Sequence, residues 1–175
     1  MNQIFYIPIY EITHSCYEYE EFTFKHPLLK VDATYIIHLV GNGRYESILR
    51  QLQTYPISKK VYIVLNRGYK KCKKDTSITK PRLDLVDAYL NVFKHAKDKG
   101  SILILEDDFM MDDKILDPFH RKHVNRFMDK KKRKLVFIIL EQYRHYCCLM
   151  ILIIIEPELY QVLILLSIIN LFERN

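Results

Sequence analysis

The sequence predicts an α/β protein built on a mainly parallel sheet, and three observations carry that reading. Short β-branched runs recur through the middle of the chain. They alternate with segments of helical spacing. They are apolar on both faces, as strands covered by helices on two sides must be. The expected order is strand, helix, strand, loop, helix, strand, helix, strand, and the right-handed crossover rule fixes how such units wind.

Taken in order, residues 1–32 are aromatic and acidic, with "CYEYEEFTF" at 16–24 alternating loosely, and read as an N-terminal arm or edge strand. "ATYIIHLV" (33–40) is a strand that runs into the turn "GNG". Asn42 is placed to cap a helix carrying Tyr45, Ile48, Leu49 and Leu52, which Pro56 closes. "VYIVLN" (61–66) is the second strand, followed by the polar, basic loop 67–81. Pro81 opens a helix with Val86, Leu90, Phe93 and Ala96 as its apolar stripe, and Gly100 ends it. "SILIL" (101–105) is the third strand, 119–134 a basic amphipathic helix, and "LVFIIL" (135–140) the fourth strand.

The 175 residues suffice for one domain with a sizeable core. A net charge of +6 favours anionic partners, but part of the excess sits in "KKKRK" at 130–134, which reads as a solvated helix end. Nucleic acid therefore ranks low among the expected partners. "RGYKKCKK" (67–74) stays open between a segment that touches nucleic acid or a nucleotide and a plain basic loop. The cysteines Cys16, Cys72, Cys147 and Cys148 form no CxxC pair and no zinc spacing, and read as free thiols in a reducing compartment. The N-terminus has no signal-peptide pattern, so a cytoplasmic location is expected. His120 and His123 lack a third ligand at metal spacing, and "GNGRYE" lacks the third glycine of a dinucleotide fingerprint.

The chemistry concentrates in "SILILEDDF" (101–109), where a buried strand ends in Glu106, Asp107 and Asp108. Ligands of open α/β sheets bind outside the carboxyl ends of the strands. Continued strand alternation would put Glu106 and Asp108 on one side and Asp107 on the other. Two such carboxylates form a hard oxygen site suited to Mg²⁺ or Mn²⁺. The plainer alternative is that acidic residues end the strand in solvent.

An apolar strand running into "LEDDF" resembles the acidic motif of GT-A-type glycosyltransferases. The nearest likeness is to the lipopolysaccharide and procollagen galactosyltransferase-like group, including relatives carried by large DNA viruses. "YIIHLVGNGRYESILRQL", "KKVYIVLNRGYKK" and "DLVDAYLNVFKHAKDKGSILILEDDF" occur in that family's order, and the resemblance covers residues 33–136. It implies a GT-A-like donor-binding region and transfer of a sugar from a nucleotide-sugar donor to a glycan or protein acceptor, with Mn²⁺ or Mg²⁺ as cofactor. It implies Asp108 as principal metal ligand with Glu106 assisting, and Asp107 holding the turn or the sugar. His38 and Arg44 would lie near the nucleotide, with Asp84 and Asp87 as further donor contacts; read from the helix alone, those two acids fall on its solvent face. No catalytic base is assigned.

Residues 137–175 depart from that pattern. They lack Lys, Asp and Gly and are dominated by Ile and Leu. Their apolar runs fall short of a span, and Glu156 and Glu158 interrupt them; a membrane-surface or core hairpin is the expectation. A second expectation is a shifted reading frame. Read from the third base of each codon, 136–152 and 160–169 permit text resembling segments that follow the acidic motif in these transferases. On that reading the chain is a truncated and inactive remnant, or an interaction protein whose tail meets a membrane.

Overall fold

The computed structural model describes residues 5–7, 16–131, 136–141 and 149–154, with side chains described over 16–129. The elements are β1 (Phe5–Ile7), β2 (Tyr17–Thr23), β3 (Ala33–Leu39), α1 (Tyr45–Thr54), β4 (Lys60–Asn66), α2 (Pro81–His95), β5 (Ser101–Glu106), a 3-10 turn (Asp113–Leu116), α3 (Pro118–Lys131), β6 (Val136–Glu141) and β7 (Leu149–Ile154).

The strands form one mixed sheet in the order β1-β2-β4-β3-β5-β7-β6. Only its centre is parallel: β3 pairs with β4 on one side and β5 on the other. The remaining pairings, β1 with β2, β2 with β4, β5 with β7 and β7 with β6, are antiparallel. The parallel arrangement expected from sequence thus holds at the centre of the sheet, and the flanks are antiparallel. The fourth expected strand, β6, does not sit beside β5; β7 takes that edge. β6 and β7 are joined by residues 142–148, too few for the crossover that a parallel neighbour needs, which accords with the hairpin alternative. The arm is not an appendage either, because β2 pairs with β4 along its whole length. No helix of the described residues is long and apolar enough to cross a membrane. Residues 142–148, with Cys147 and Cys148, and 155–175, on which much of the membrane and frame expectations rest, lie outside the described residues.

Strand alternation sorts the core into two layers. Tyr35, Ile37, Tyr62, Val64, Ile102 and Ile104 pack with α2 through Ala88, Tyr89, Val92 and Phe93. Ile36, Ile63, Leu103 and Leu105 pack on the opposite face with Ile48 and Leu52 of α1 and Met128 of α3. The sequence explains this directly: both faces of β3, β4 and β5 are apolar, so both need a helical cover. The buried stripe of α2 is Asp84, Ala88, Val92 and Ala96, an i, i+4 row joined by Tyr89 and Phe93. The expected stripe of Val86, Leu90, Phe93 and Ala96 is therefore rotated. Val86 and Leu90 are only half-buried, because the small Ala88 and Ala96 let the helix approach the sheet along their own row.

Cys16 and Cys72 form a disulfide with Cα atoms 5.6 Å apart. This corrects the expectation of free thiols for that pair. The cysteines are 56 positions apart in sequence, and the register of β2 on β4 brings them together: Tyr17 faces Asn66, and the Arg67 N–H donates to the Cys16 carbonyl. Disulfides persist in oxidising surroundings, so a cytoplasmic location loses the support drawn from free thiols.

Candidate functional site

The chain leaves β3 toward α1 and β4 on one side, and leaves β5 toward the other edge of the sheet. The carboxyl ends of β3 and β5 therefore bound a topological switch point, the place where open α/β sheets bind ligands. A cleft of about 480 Å³ opens there. Ile37, Leu39 and Leu85 supply apolar lining, and Glu106, Asp107 and Asp84 supply carboxylates. Arg44, Arg67, Lys70 and Lys71 supply cations.

The strand ends at Glu106, and a turn closed by the Phe109 N–H on the Glu106 carbonyl carries the next two acids. Phe109 is buried against the α1 side of the sheet and pins this turn. Alternation consequently stops at Glu106, and the expected opposition of Asp107 to Asp108 gives way to a shared partner. Arg44 Nη1 lies 2.8 Å from Asp107 Oδ1 and 3.5 Å from Asp108 Oδ2.

Each acid has its own environment. Asp107 is buried and ties the β5 end to the β3 turn. Its Oδ2 accepts from the Leu39 N–H at 3.1 Å and from the Asn42 amide, and lies 3.1 Å from His38 Nδ1, while its Oδ1 accepts from Arg44. Glu106 accepts from the Tyr89 hydroxyl at 3.0 Å. Burial pushes its carboxyl above the usual range; the Tyr89 bond opposes that, repulsion from Asp108 and Asp107 adds to it, and Arg44 opposes it. Asp108 is partly exposed, yet its Oδ1 is buried without a hydrogen-bond partner among the described residues. An orphaned carboxylate oxygen beside two more carboxylates is a locus a cation would satisfy. Against this, no group of three or more His, Cys, Asp or Glu side chains able to hold a metal occurs among the described residues.

The glycines shape the cleft mouth. Gly41, Gly43 and Gly68 have φ of 89°, 79° and 73°, values that favour glycine. At Gly68 a Cβ would also meet Leu39 Cδ1 at 3.0 Å, so the loop after β4 lies hard against the end of β3. Asn42 is not the N-cap: Arg44 holds that position without a side-chain bond, and Asn42 instead accepts from the Arg44 N–H and donates to Asp107.

Asp84 is buried, at 5 % exposure, and is not on a solvent face. Its Oδ1 lies 2.6 Å from Lys74 Nζ, which satisfies that oxygen by charge, and its Oδ2 accepts from the Asn66 amide at 3.1 Å. Lys74 is itself buried (its side chain is 3 % exposed), sits 3.4 Å from Asp87 and donates to Asn66 Oδ1 and to the Tyr17 hydroxyl. Tyr17 in turn donates to Asp87, and burial with these acids pushes its own ionisation upward. Of the sequence-derived site residues, Asp107, Asp108, His38 and Arg44 thus meet in one network, with Glu106 beside it on Tyr89 and Asp108 outside the cleft lining. Asp84 lines the other side of the cleft, and Asp87 sits behind it in the Lys74 cluster. Sequence reasoning missed Tyr89, Asn66, Tyr17 and Lys74. Tyr89 was recoverable from the inner row of α2. Nothing local distinguished Lys74 from its basic neighbours.

His120 and His123 are not gathered at a metal: His120 Nδ1 lies 2.7 Å from Asp117, which caps α3 through the His120 N–H, and His123 Nδ1 lies 2.8 Å from the Phe119 carbonyl. In comparisons with known proteins, the chain matches no family model, no curated protein and no solved structure.

Proposed function

We propose that the cleft binds the diphosphate of a nucleotide sugar together with Mn²⁺ or Mg²⁺, and that the chain is a GT-A-type glycosyltransferase of the lipopolysaccharide and procollagen galactosyltransferase-like group, or its donor-binding half. The observation that carries this reading is the juxtaposition at one switch point of the "EDDF" carboxylates, one oxygen of Asp108 unsatisfied, with four cations around a partly apolar cleft. A diphosphate brings negative charge to Arg44, Arg67, Lys70 and Lys71, and a nucleoside brings a flat body to Leu39, Val40 and Leu85. Asp108, assisted by Glu106, would hold the cation, which would neutralise the departing diphosphate while an acceptor hydroxyl attacks the anomeric carbon. Asp107 keeps the β3 turn and Arg44 in place; His38 and Asn42 brace it. Asp84 holds the opposite wall rather than reaching for the sugar.

A second reading is a module that binds without transferring. Two observations favour it: Asp107 is committed to four donors, and the described residues contain no group of three metal-ligating side chains. A thermal-shift titration separates the readings. With a nucleoside diphosphate at about 100 times its Kd, stability should rise by about 2.7 kcal/mol. The gain should require Mn²⁺ and vanish in Asp108→Ala. A gain that ignores Mn²⁺ and survives Asp108→Ala supports the module. No gain with any diphosphate sinks both.

A further inference from the structure

Resting on the reading of the cleft as a diphosphate site, we infer that the Cys16–Cys72 disulfide is a redox-sensitive clasp on its cationic wall, so that reduction of this bond weakens anion binding.

The wall is the segment 67–74 after β4. It has no regular secondary structure, and Arg67, Gly68, Tyr69, Lys70 and Lys71 from it line the cleft. Lys70 and Lys71 have no ion pair among the described residues, so they are available to a ligand; Arg67 is paired with Glu18. A Cβ built at Gly41 would lie 3.4 Å from Lys71 Nζ, which places that ammonium against the β3 turn across the cleft mouth. What keeps the segment there is a short set of ties. Asn66 Oδ1 accepts from the Gly68 N–H, and the Gly68 carbonyl accepts from Lys71 and Cys72. Beyond these, the wall is fixed from outside at Arg67, whose N–H donates to the Cys16 carbonyl and whose guanidinium pairs with Glu18, at the Cys72 disulfide, and at the buried Lys74 ammonium against Asp84 and Asp87.

The disulfide joins the residue next to Lys71 to the residue just before β2. Cys72 is half-buried, so a small dithiol can reach it. The exchange is balanced: the reductant's thiolate attacks one sulfur, a mixed disulfide forms, and its second thiolate completes the transfer. The protein gains two electrons and two protons as two thiols, and the reductant leaves as its own disulfide. After reduction Lys71 is tethered only through the Gly68 turn on one side and Lys74 on the other. The bond lies at the margin of the α2-side core layer, where Cys16 is buried and Cys72 packs against it, and the pairing of β3 with β4 and β5 does not depend on it.

The test uses the full chain with inorganic pyrophosphate as the anion probe, with and without Mn²⁺, oxidised and after treatment with a dithiol, thiols being counted by alkylation. Amide hydrogen exchange is followed in the same samples. Reduction should raise exchange over 67–74 while β3, β4 and β5 stay protected. Pyrophosphate affinity should fall on the order of fivefold, since apparent affinity scales with the fraction of molecules in the binding arrangement. Cys72→Ser should behave like the reduced chain and no longer respond to dithiol. Unchanged exchange over 67–74 after verified reduction overturns the clasp, and so does equal affinity in the two states. Exchange that rises through the whole sheet also overturns it, since the bond would then be a global staple. If pyrophosphate binds neither state while 67–74 still loosens on reduction, the diphosphate reading fails and the control of binding with it, the local release alone standing.

Discussion

The two walls of the cleft are built by the same device and put to different uses. On the β5 side a buried aspartate, Asp107, gathers the Leu39 N–H, Asn42, Arg44 and His38. On the β4 side a buried aspartate, Asp84, gathers Lys74 and Asn66. In each wall the buried acid shapes the loop, and charges beside it line the cleft: Arg44 on one side, with Asp108 behind it, and Lys70 and Lys71 on the other. The walls differ in what holds them. The β5 wall is a short turn sealed by core packing of Phe109, whereas the β4 wall is a long basic loop held by one ion-pair cluster and one disulfide. The most negative motif of the sequence is therefore part scaffold, and the ligand-facing chemistry is shared with a loop that the motif does not contain.

The sharpest way to break this symmetry is to strip the β4 wall of its anchor. Lys74→Ala leaves Asp84 charged and buried beside Asp87. It should cost about 3 to 5 kcal/mol in denaturant unfolding. Adding Asp84→Asn should recover much of that loss, because the uncompensated charge is then gone. The matching change on the β5 wall, Asp107→Asn, keeps the volume but removes the charge that holds Arg44, and one amide nitrogen then faces donors. A loss of about 2 kcal/mol is expected by the same measurement. A loss at Asp107 exceeding that at Lys74 would reverse the order argued here.

A smaller effect tests how closely the walls approach. Gly68→Ala adds a Cβ at positive φ and 3.0 Å from Leu39 Cδ1. It should cost about 1 to 2 kcal/mol and weaken ligand binding in calorimetry by displacing Leu39. The smallest expected effect belongs to Glu106. Burial raises its carboxyl in the folded chain, so the folded state holds the proton longer than the unfolded state does. Its contribution is most favourable at low pH. It falls away as pH rises from the usual Glu range through the raised folded value. Glu106→Gln should flatten that part of the stability profile, above the usual Glu range. A profile unchanged by the substitution would place Glu106 in a solvent-like setting and remove the crowding argument for a cation.

Much of this was legible in the sequence because burial and turn chemistry are local. The strands at 33–39, 60–66 and 101–106 announce themselves by apolar runs, and the helices by Pro81 and their spacing. The "EDDF" turn lies where strand-end logic places a ligand site. What escaped depends on long-range register. Cys16 meets Cys72, and Tyr17 meets Lys74 and Asp87, only because β2 runs antiparallel along β4. No local pattern shows that pairing. The Asp107–Asp108 relation was misread for the opposite reason. It was assigned strand geometry one residue past the point where the Glu106–Phe109 turn ends the strand.

The most direct test of the central claim is the electron paramagnetic resonance of free Mn²⁺ during titration with the protein, with and without a nucleoside diphosphate. The account predicts one Mn²⁺ per chain, bound more tightly when the diphosphate is present than by either component alone, and lost in Asp108→Asn with the fold intact. A signal that the protein leaves unchanged beyond the effect of the nucleotide alone would contradict it. The "EDDF" carboxylates would then be the end of a strand and nothing more.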